Sequence, residues 1–313
     1  MNHSLQWGAE SLWQQLEPLL PGLWVEVVAR SASTNSALLE RARVRAEPPT
    51  DELVQVRRSV ESGAFGRRAA DVQPCLLVAE HQTAGRGRLG RAWQSTPGAS
   101  LTFSLSLPMS PADWSGLSLA VGVALADALQ PMVGTSDTTG RIGLKWPNDL
   151  WLMDTPADAA VPVGRKLGGI LIETVTAGNA RLAVVGVGLN VQPQPADDEL
   201  SSGYACLQEL DADITAPRAL ELVAVPLVKA LLAFDRDGFA PFAERYAARD
   251  LLRGHAITTT QASVPEGIAE GISPKGVLQV RAGGALHDVS SGEVSVRLNT
   301  GHGANPDANG DAN

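Results

Sequence analysis

Residues 80–93 read Glu80-His81-Gln82-Thr83-Ala84-Gly85-Arg86-Gly87-Arg88-Leu89-Gly90-Arg91-Ala92-Trp93 and lie between two apolar runs, Cys75 to Ala79 and Leu101 to Leu107. Taken alone, Gly85-x-Gly87-x-x-Gly90 matches a dinucleotide fingerprint, which needs a strand before it and a helix opening at its third glycine. The glycines lead instead into the turn Ser95-Thr96-Pro97-Gly98, and then into Leu101-Thr102-Phe103-Ser104-Leu105-Ser106-Leu107, which alternates with period two. A strand–loop–strand unit presents no helix N-terminus to a pyrophosphate, so a nicotinamide-dependent oxidoreductase is set aside. The glycines allow backbone amides to converge on an anion, and Arg86, Arg88 and Arg91 add fixed charge and bidentate donors. The segment is expected to act as a flexible, anion-binding lid.

The surroundings of this basic loop are acidic. Net charge over the 313 residues is −9, which opposes a general nucleic-acid binder, whose affinity comes from phosphate neutralisation. A hydrophobic share of 44% supports one large domain, or one large and one small. Cys75 and Cys206 are too far apart in sequence for a metal pair and read as buried thiols of a reducing compartment. The chain opens with no signal peptide and contains no run of 18 apolar residues, so a soluble, cytoplasmic protein with no membrane partner is expected. Only four of the 25 basic residues are lysines, and two of them, Lys145 and Lys166, stand in Trp- or Gly-rich segments.

Upstream, leucines between residues 5 and 20 keep helical spacing, and Trp24 to Val28 alternates as a strand. Ser33-Thr34-Asn35 precedes Ala37-Leu38-Leu39-Glu40 and reads as a helix N-cap, the commoner role of such residues, while the same small polar groups can also face a pocket. Residues 41–73, with seven arginines and no period, read as an insertion. Downstream, Leu117 to Leu129 forms a helical stripe, residues 141–152 read as strand, turn and strand, and strands run from Lys166 to Glu173 and from Arg181 to Val191. Helices are expected at 216–233 and 238–252. Short β segments between Ala256 and Leu298 suit a small barrel, and Gly301 to Asn313 reads as a disordered tail.

Four segments then fall in order: Gly85-Arg86-Gly87-Arg88-x-Gly90-Arg91-x-Trp93, Lys145-Trp146-Pro147-Asn148-Asp149, Lys166-Leu167-Gly168-Gly169-Ile170-Leu171-Ile172-Glu173, and Gly186-Val187-Gly188-Leu189-Asn190. Together they resemble the bacterial biotin–protein ligases over roughly residues 23–298. The resemblance implies an α+β fold: a mixed sheet with helices on one face, like the core of class II aminoacyl-tRNA synthetases, followed by an SH3-like barrel. It divides the chain into a catalytic part at 1–252, a barrel at 253–300 and a tail at 301–313. It implies two half-reactions. Biotin and MgATP give biotinyl-5′-AMP, and a lysine of the biotin carboxyl carrier protein then accepts the biotinyl group.

By motif, Ser33, Thr34, Asn35 and Gln82 are implied to contact biotin, and Arg86, Gly87 and Arg88 to close over it. Lys166, with Arg88, is implied to neutralise the biotin carboxylate and the α-phosphate. Arg86, Arg88, Arg91, Trp93, Lys145, Asn148, Asp149 and Asn190 are implied around the adenylate, with Asp149 the candidate contact to Mg²⁺. Many relatives carry Arg where this chain has Leu89. Only 32 residues precede Ser33, so a form without a helix-turn-helix repressor domain and without DNA binding is expected, as a monomer or a homodimer. A lipoate–protein ligase shares the chemistry and is the alternative. A ligand-sensing transcription regulator is opposed by the acidic charge.

Overall fold

The computed structural model of the protein describes residues 5–44, 64–65, 73–130, 141–154, 162–194, 203–290 and 295–298. Most of the expected insertion and the whole expected tail lie outside the described residues. The order is α1 (Ala9–Leu16), β1 (Trp24–Ser31), α2 (Thr34–Val44), β2 (Ala64–Phe65), β3 (Cys75–Gln82), β4 (Gly85–Arg86), β5 (Ala92–Trp93), β6 (Ser100–Pro108) and α3 (Leu117–Leu129). Then come β7 (Ile142–Lys145), β8 (Asp149–Met153), β9 (Gly164–Ala177), β10 (Ala180–Asn190), α4 (Ala216–Asp237), α5 (Ala243–Ala247) and β11 (Ala256–Thr259). The chain closes with β12 (Glu266–Ile272), β13 (Leu278–Ala282), β14 (Ala285–Val289) and β15 (Val296–Leu298).

Eight strands form one mixed sheet in the order β2-β1-β3-β6-β10-β9-β8-β7, parallel only between β1 and β3. Period two decides its faces. Leu101, Phe103, Leu105 and Leu107 of β6 join Ala183, Val185, Val187 and Leu189 of β10 in a core shared with α3 and α4. The opposite face carries Thr102 and Ser104 beside Gly188 and Gly186 in register. That face is covered too: Leu38 and Leu39 of α2 pack on Leu77 and Val184. Helices therefore occupy both faces, not one, and the small and polar residues that would read as a solvated face lie under α2.

Three boundaries move for local reasons. Helix α1 is shorter than expected, and Leu19 and Leu20 reach the core from a turn. Helix α2 runs to Val44, so the first residues assigned to the insertion are helical. The helix expected at 238–252 is cut to α5, because Leu144 captures the backbone beyond it: Leu144 N donates to Arg249 O at 2.7 Å and Leu251 N to Leu144 O at 3.1 Å. Arg249, 1% exposed, fixes this junction through Asp127 and the carbonyls of Gln130 and Ile142.

Asp250 sits in the same junction and accepts from Leu252 N at 3.0 Å. Burial pushes its carboxyl up from 3.8 to about 6, against the backbone donors of Leu252 and Arg253. A raised carboxyl retains its proton in the folded chain after the unfolded chain has lost it, so its contribution to stability is present below pH 4 and is lost as pH rises to about 6. Relative to Asp250→Asn, the parent should lose up to about 3 kcal/mol across that window and no more above it. Urea unfolding of both proteins at half-unit pH steps measures the difference; a gap independent of pH would contradict the assignment.

The C-terminal strands form a separate antiparallel sheet, β14-β13-β12-β11-β15, with a bulge in β12 between Ala269 and Gly271. Its buried residues Ile257, Val264, Ala269, Leu278, Val280 and Val289 belong to the main core cluster. Contact at the seam is backbone against backbone. A Cβ added to Gly276 (φ 80°) would lie 2.4 Å from Gly116 Cα, and Gly116 (φ 82°) itself opens α3.

Candidate active site

The polar face of the large sheet, beside α2, borders a cavity of about 880 Å³. Every residue singled out from sequence lines it: Ser33, Thr34, Asn35, Gln82, Arg86, Gly87, Arg88, Arg91, Trp93, Lys145, Asn148, Asp149, Lys166 and Asn190. Segments more than a hundred residues apart meet because β7, β8, β9, β10 and β6 are neighbours in one sheet.

At one end the polar groups hold each other. The side chain of Ser33 caps α2 by accepting from Ser36 N at 3.4 Å. Gln82 Oε1 accepts from Thr34 N at 2.7 Å and from Thr34 Oγ1 at 3.1 Å. Asn35 Nδ2 donates to Leu171 O and to Glu173 Oε2, while Ser104 Oγ lies 2.6 Å from both Asn35 Oδ1 and Thr34 Oγ1. Gly186 makes this possible: a Cβ there would fall 2.2 Å from Asn35 Oδ1. Two strand positions on, a Cβ on Gly188 would fall 2.5 Å from the Trp93 indole.

The Gly/Arg segment is a small hairpin of β4 and β5 with a 3-10 turn at Arg88–Gly90. Leu89 forms its tip at φ 57°, a left-handed conformation uncommon for Leu, with its side chain half exposed. Arg86 crosses to Glu173 in a tight ion pair and donates to Ser36 Oγ at 3.1 Å. Arg88 donates to Asn148 Oδ1 at 3.3 Å, and Asn148 Nδ2 donates to Ile170 O at 2.7 Å.

At the other end the cations gather. Lys166 Nζ pairs with Asp149 Oδ1 at 2.8 Å, and Lys145 Nζ lies 4.6 Å from the centre of the Trp151 ring. Burial lowers the pKa of Lys145; Asp149 opposes the shift and Lys166, Arg297 and Arg91 deepen it. Arg88 is lowered chiefly by burial as well, with Asp149 opposing and Arg91 adding. Asn190 does not project a free amide: its Nδ2 donates to Lys166 O at 3.1 Å and to Ala205 O at 2.9 Å. Among the described residues, the cavity is lined by six cationic side chains (Arg86, Arg88, Arg91, Lys145, Lys166 and Arg297) and one carboxylate, Asp149.

Some of these residues escape sequence reasoning. Ser104 reads as the polar half of an alternating strand. Glu173 stands within a matched motif, but only the fold reveals its pairing with Arg86 and Asn35. Arg297 comes from β15, with Arg91 Nη2 donating to Ser295 Oγ at 3.4 Å across the seam. No local pattern marks an arginine in a short terminal strand.

Comparison with known proteins gives this arrangement a family. Residues 69–190 match the Biotin/lipoate A/B protein ligase family, and residues 256–297 match the Biotin protein ligase C terminal domain. A biotin--[acetyl-CoA-carboxylase] ligase of Mycobacterium tuberculosis is 32% identical over 294 residues, covering 92% of this chain and 91% of its own. Two proteins named bifunctional ligase/repressor BirA, from Escherichia coli and Salmonella typhimurium, are 32% and 34% identical over 70% of this chain. The match spans 65% and 66% of their lengths, so this chain covers just under two thirds of each. In fold, a biotin protein ligase from Aquifex aeolicus, solved in complex with biotin and ATP, superposes with a TM-score of 0.63 at 24% identity, over 88% of this chain and 99% of its own. The large mixed sheet and its small antiparallel companion are thus a ligase fold. The chain belongs to the biotin protein ligase family.

Proposed function

We propose that the protein activates biotin with ATP to biotinyl-5′-AMP and passes the biotinyl group to a lysine of the biotin carboxyl carrier protein of acetyl-CoA carboxylase. The observation that carries this reading is the imbalance of six cations and one carboxylate on the cavity wall of an acidic protein. Two anions, a carboxylate and a triphosphate, repel each other in water. Fixed cations in a partly dry site offset that repulsion without reorganising as charge moves.

The residues divide the work. Ser33, Thr34, Asn35 and Gln82 form the polar end suited to the ureido and neighbouring groups of biotin, with Arg86 and Gly87 over them. Lys166 and Arg88 stand where the biotin carboxylate meets the α-phosphorus. An oxygen of the carboxylate bonds to that phosphorus, the bond to the bridging oxygen breaks, and pyrophosphate departs with the electron pair. Arg91, Trp93, Lys145, Asn148, Asp149 and Asn190 surround the nucleotide, joined by Arg297. In the second step the carrier lysine's amine attacks the acyl carbon, AMP leaves and the amine loses a proton.

No cluster of three or more metal-ligating His, Cys, Asp or Glu side chains occurs among the described residues. Mg²⁺ brought in on ATP needs only one or two carboxylates besides phosphate oxygens, and Asp149 fits that part. Bound there, Mg²⁺ would neutralise phosphate charge. No described helix is long and apolar enough to cross a membrane.

The test is biotin-dependent pyrophosphate release from MgATP, run beside lipoate. Release with lipoate alone would move the protein to the alternative reading. The β4–β5 hairpin should also become protected from limited proteolysis at Arg86, Arg88 and Arg91 when biotin and ATP are added, since bound anions would add to the contacts these arginines make with Glu173, Ser36, Asn148 and Ser295. Equal cleavage with and without ligand would remove its role as a lid.

A further inference from the structure

We propose that Arg165 is a positioning residue: it fixes the backbone of Lys166, and through it the Lys166 ammonium, in the orientation used for biotin adenylation. The inference deepens the proposed function and rests on it.

Strand alternation alone would turn Lys166 away from the cavity. In β9, Gly168 and Ile170 lie opposite Leu189 and Val187 on the core face, and a residue two before Gly168 would face the same way. The β8–β9 register slips here: Leu150 pairs with Gly168, but Trp151 pairs with Lys166. Leu167 is therefore the extra residue of a bulge, and the bulge swings Lys166 onto the face shared with Asp149 and Trp151. A bulged residue has lost part of its ladder and needs another support.

The backbone ladder of β10 ends at Gly168, and β10 reaches Lys166 through the Asn190 side chain, whose Nδ2 donates to Lys166 O at 3.1 Å. The chain at Tyr204–Ala205 takes over. Tyr204 bridges Lys166 in parallel, and Ala205 N donates to Lys166 O at 3.0 Å. This segment is no regular strand, and Arg165 ties it down. Nε and Nη2 of Arg165 donate to the two oxygens of Asp154 at 2.9 and 2.7 Å. Nη1 and Nη2 donate to the two oxygens of Glu209 at 3.1 and 2.7 Å, and Nη1 donates to Tyr204 O at 3.0 Å. All five guanidinium N–H groups are thereby used, which an ammonium cannot imitate.

Glu209 in turn accepts from Cys206 N at 3.0 Å, and Gly203 packs so closely that a Cβ on it would lie 2.8 Å from Arg165 Cγ. The guanidinium holds Asp154 and Glu209 below the usual carboxylate range, as expected of a preformed network. A lone ion pair at this exposure would contribute little. The doubly bidentate geometry anchors both flanks of the bulge at once, at the end of β8 and in the 203–209 segment.

The experiment measures single-turnover biotin-dependent pyrophosphate release by the full chain, Arg165→Met, Arg165→Lys, Lys166→Met and the double variant, with circular dichroism and thermal melting as fold controls. Arg165→Met should lower the maximal rate on the order of tenfold to a hundredfold, with KM for biotin and ATP little changed. Arg165→Lys should recover only part of the loss. In the Lys166→Met background, removing Arg165 should cost nothing further, because its effect passes through Lys166. Equal losses in both backgrounds, or a parental rate for folded Arg165→Met, would overturn the proposal while leaving the ligase reading in place. Where Arg165→Met melts early, Glu209→Gln serves as the milder break and should show the same dependence on Lys166. A parent chain that releases no pyrophosphate with biotin would instead overturn the ligase reading, and this proposal with it.

Discussion

Lys166→Met should slow biotin-dependent pyrophosphate release by roughly 10²–10³, equivalent to about 2.7–4 kcal/mol, the usual cost of removing one preorganised electrostatic donor. Lys166 Nζ is the ammonium held 2.8 Å from Asp149, on the bulge that aims it into the cavity. When two anions approach, its charge acts on both, so the loss should fall on the chemical step far more than on ATP binding. Asp149 would also lose its partner and add repulsion toward the incoming phosphates. Lys166→Arg should rescue only in part, since a planar fork does not replace a compact charge. If a folded Lys166→Met protein releases pyrophosphate at the parental rate, the role passes to Lys145, which shares the cavity.

Gly186→Ala should produce the second large effect, at the opposite end. The new methyl would lie 2.2 Å from Asn35 Oδ1 and 2.9 Å from Asn35 Cγ, far inside contact distance. Asn35 has nowhere close to go, because both its amide hydrogens and its oxygen are engaged by Leu171, Glu173 and Ser104. Overpacking of this kind costs about 1–3 kcal/mol of stability. The displaced amide should raise KM for biotin on the order of tenfold to a hundredfold while KM for ATP stays near parental. Steady-state kinetics with each substrate varied in turn measures the split. An equal rise for ATP would move the polar end of the cavity from biotin to nucleotide.

Those two residues also mark what the chain's own pattern discloses. Gly186 stands out as a small residue in an apolar strand, and the alternation of Leu101 to Leu107 establishes β6 without help. Strong periodicity identifies such elements because one face must be buried whatever lies beyond it. The side chain of Lys166 is legible as suspicious but not as aimed. Its direction depends on a register slip between β8 and β9, and a slip leaves no mark in the residues themselves. The end of α5 fails in the same way, since Leu144, a hundred residues earlier, competes for the backbone at Arg249 and Leu251. Arg297 is the extreme case: its place on the cavity wall exists only because β15 docks beside the hairpin.

The seam between the two sheets bears on how such ligases can be recombined. Gly116 and Gly276 meet main chain to main chain, both with φ near 80°, where any side chain on Gly276 would strike its partner. The terminal sheet is consequently no interchangeable cassette. A chimaera that takes it from a relative inherits a steric condition at one position, and a bulky residue at the graft's equivalent of Gly276 would wedge β15 away from the mouth of the cavity. The condition is one-sided: a Cβ on Gly116 would meet Phe239 of its own half at 2.9 Å, whereas a Cβ on Gly276 meets the main chain of Gly116, so the graft carries the restriction at the seam.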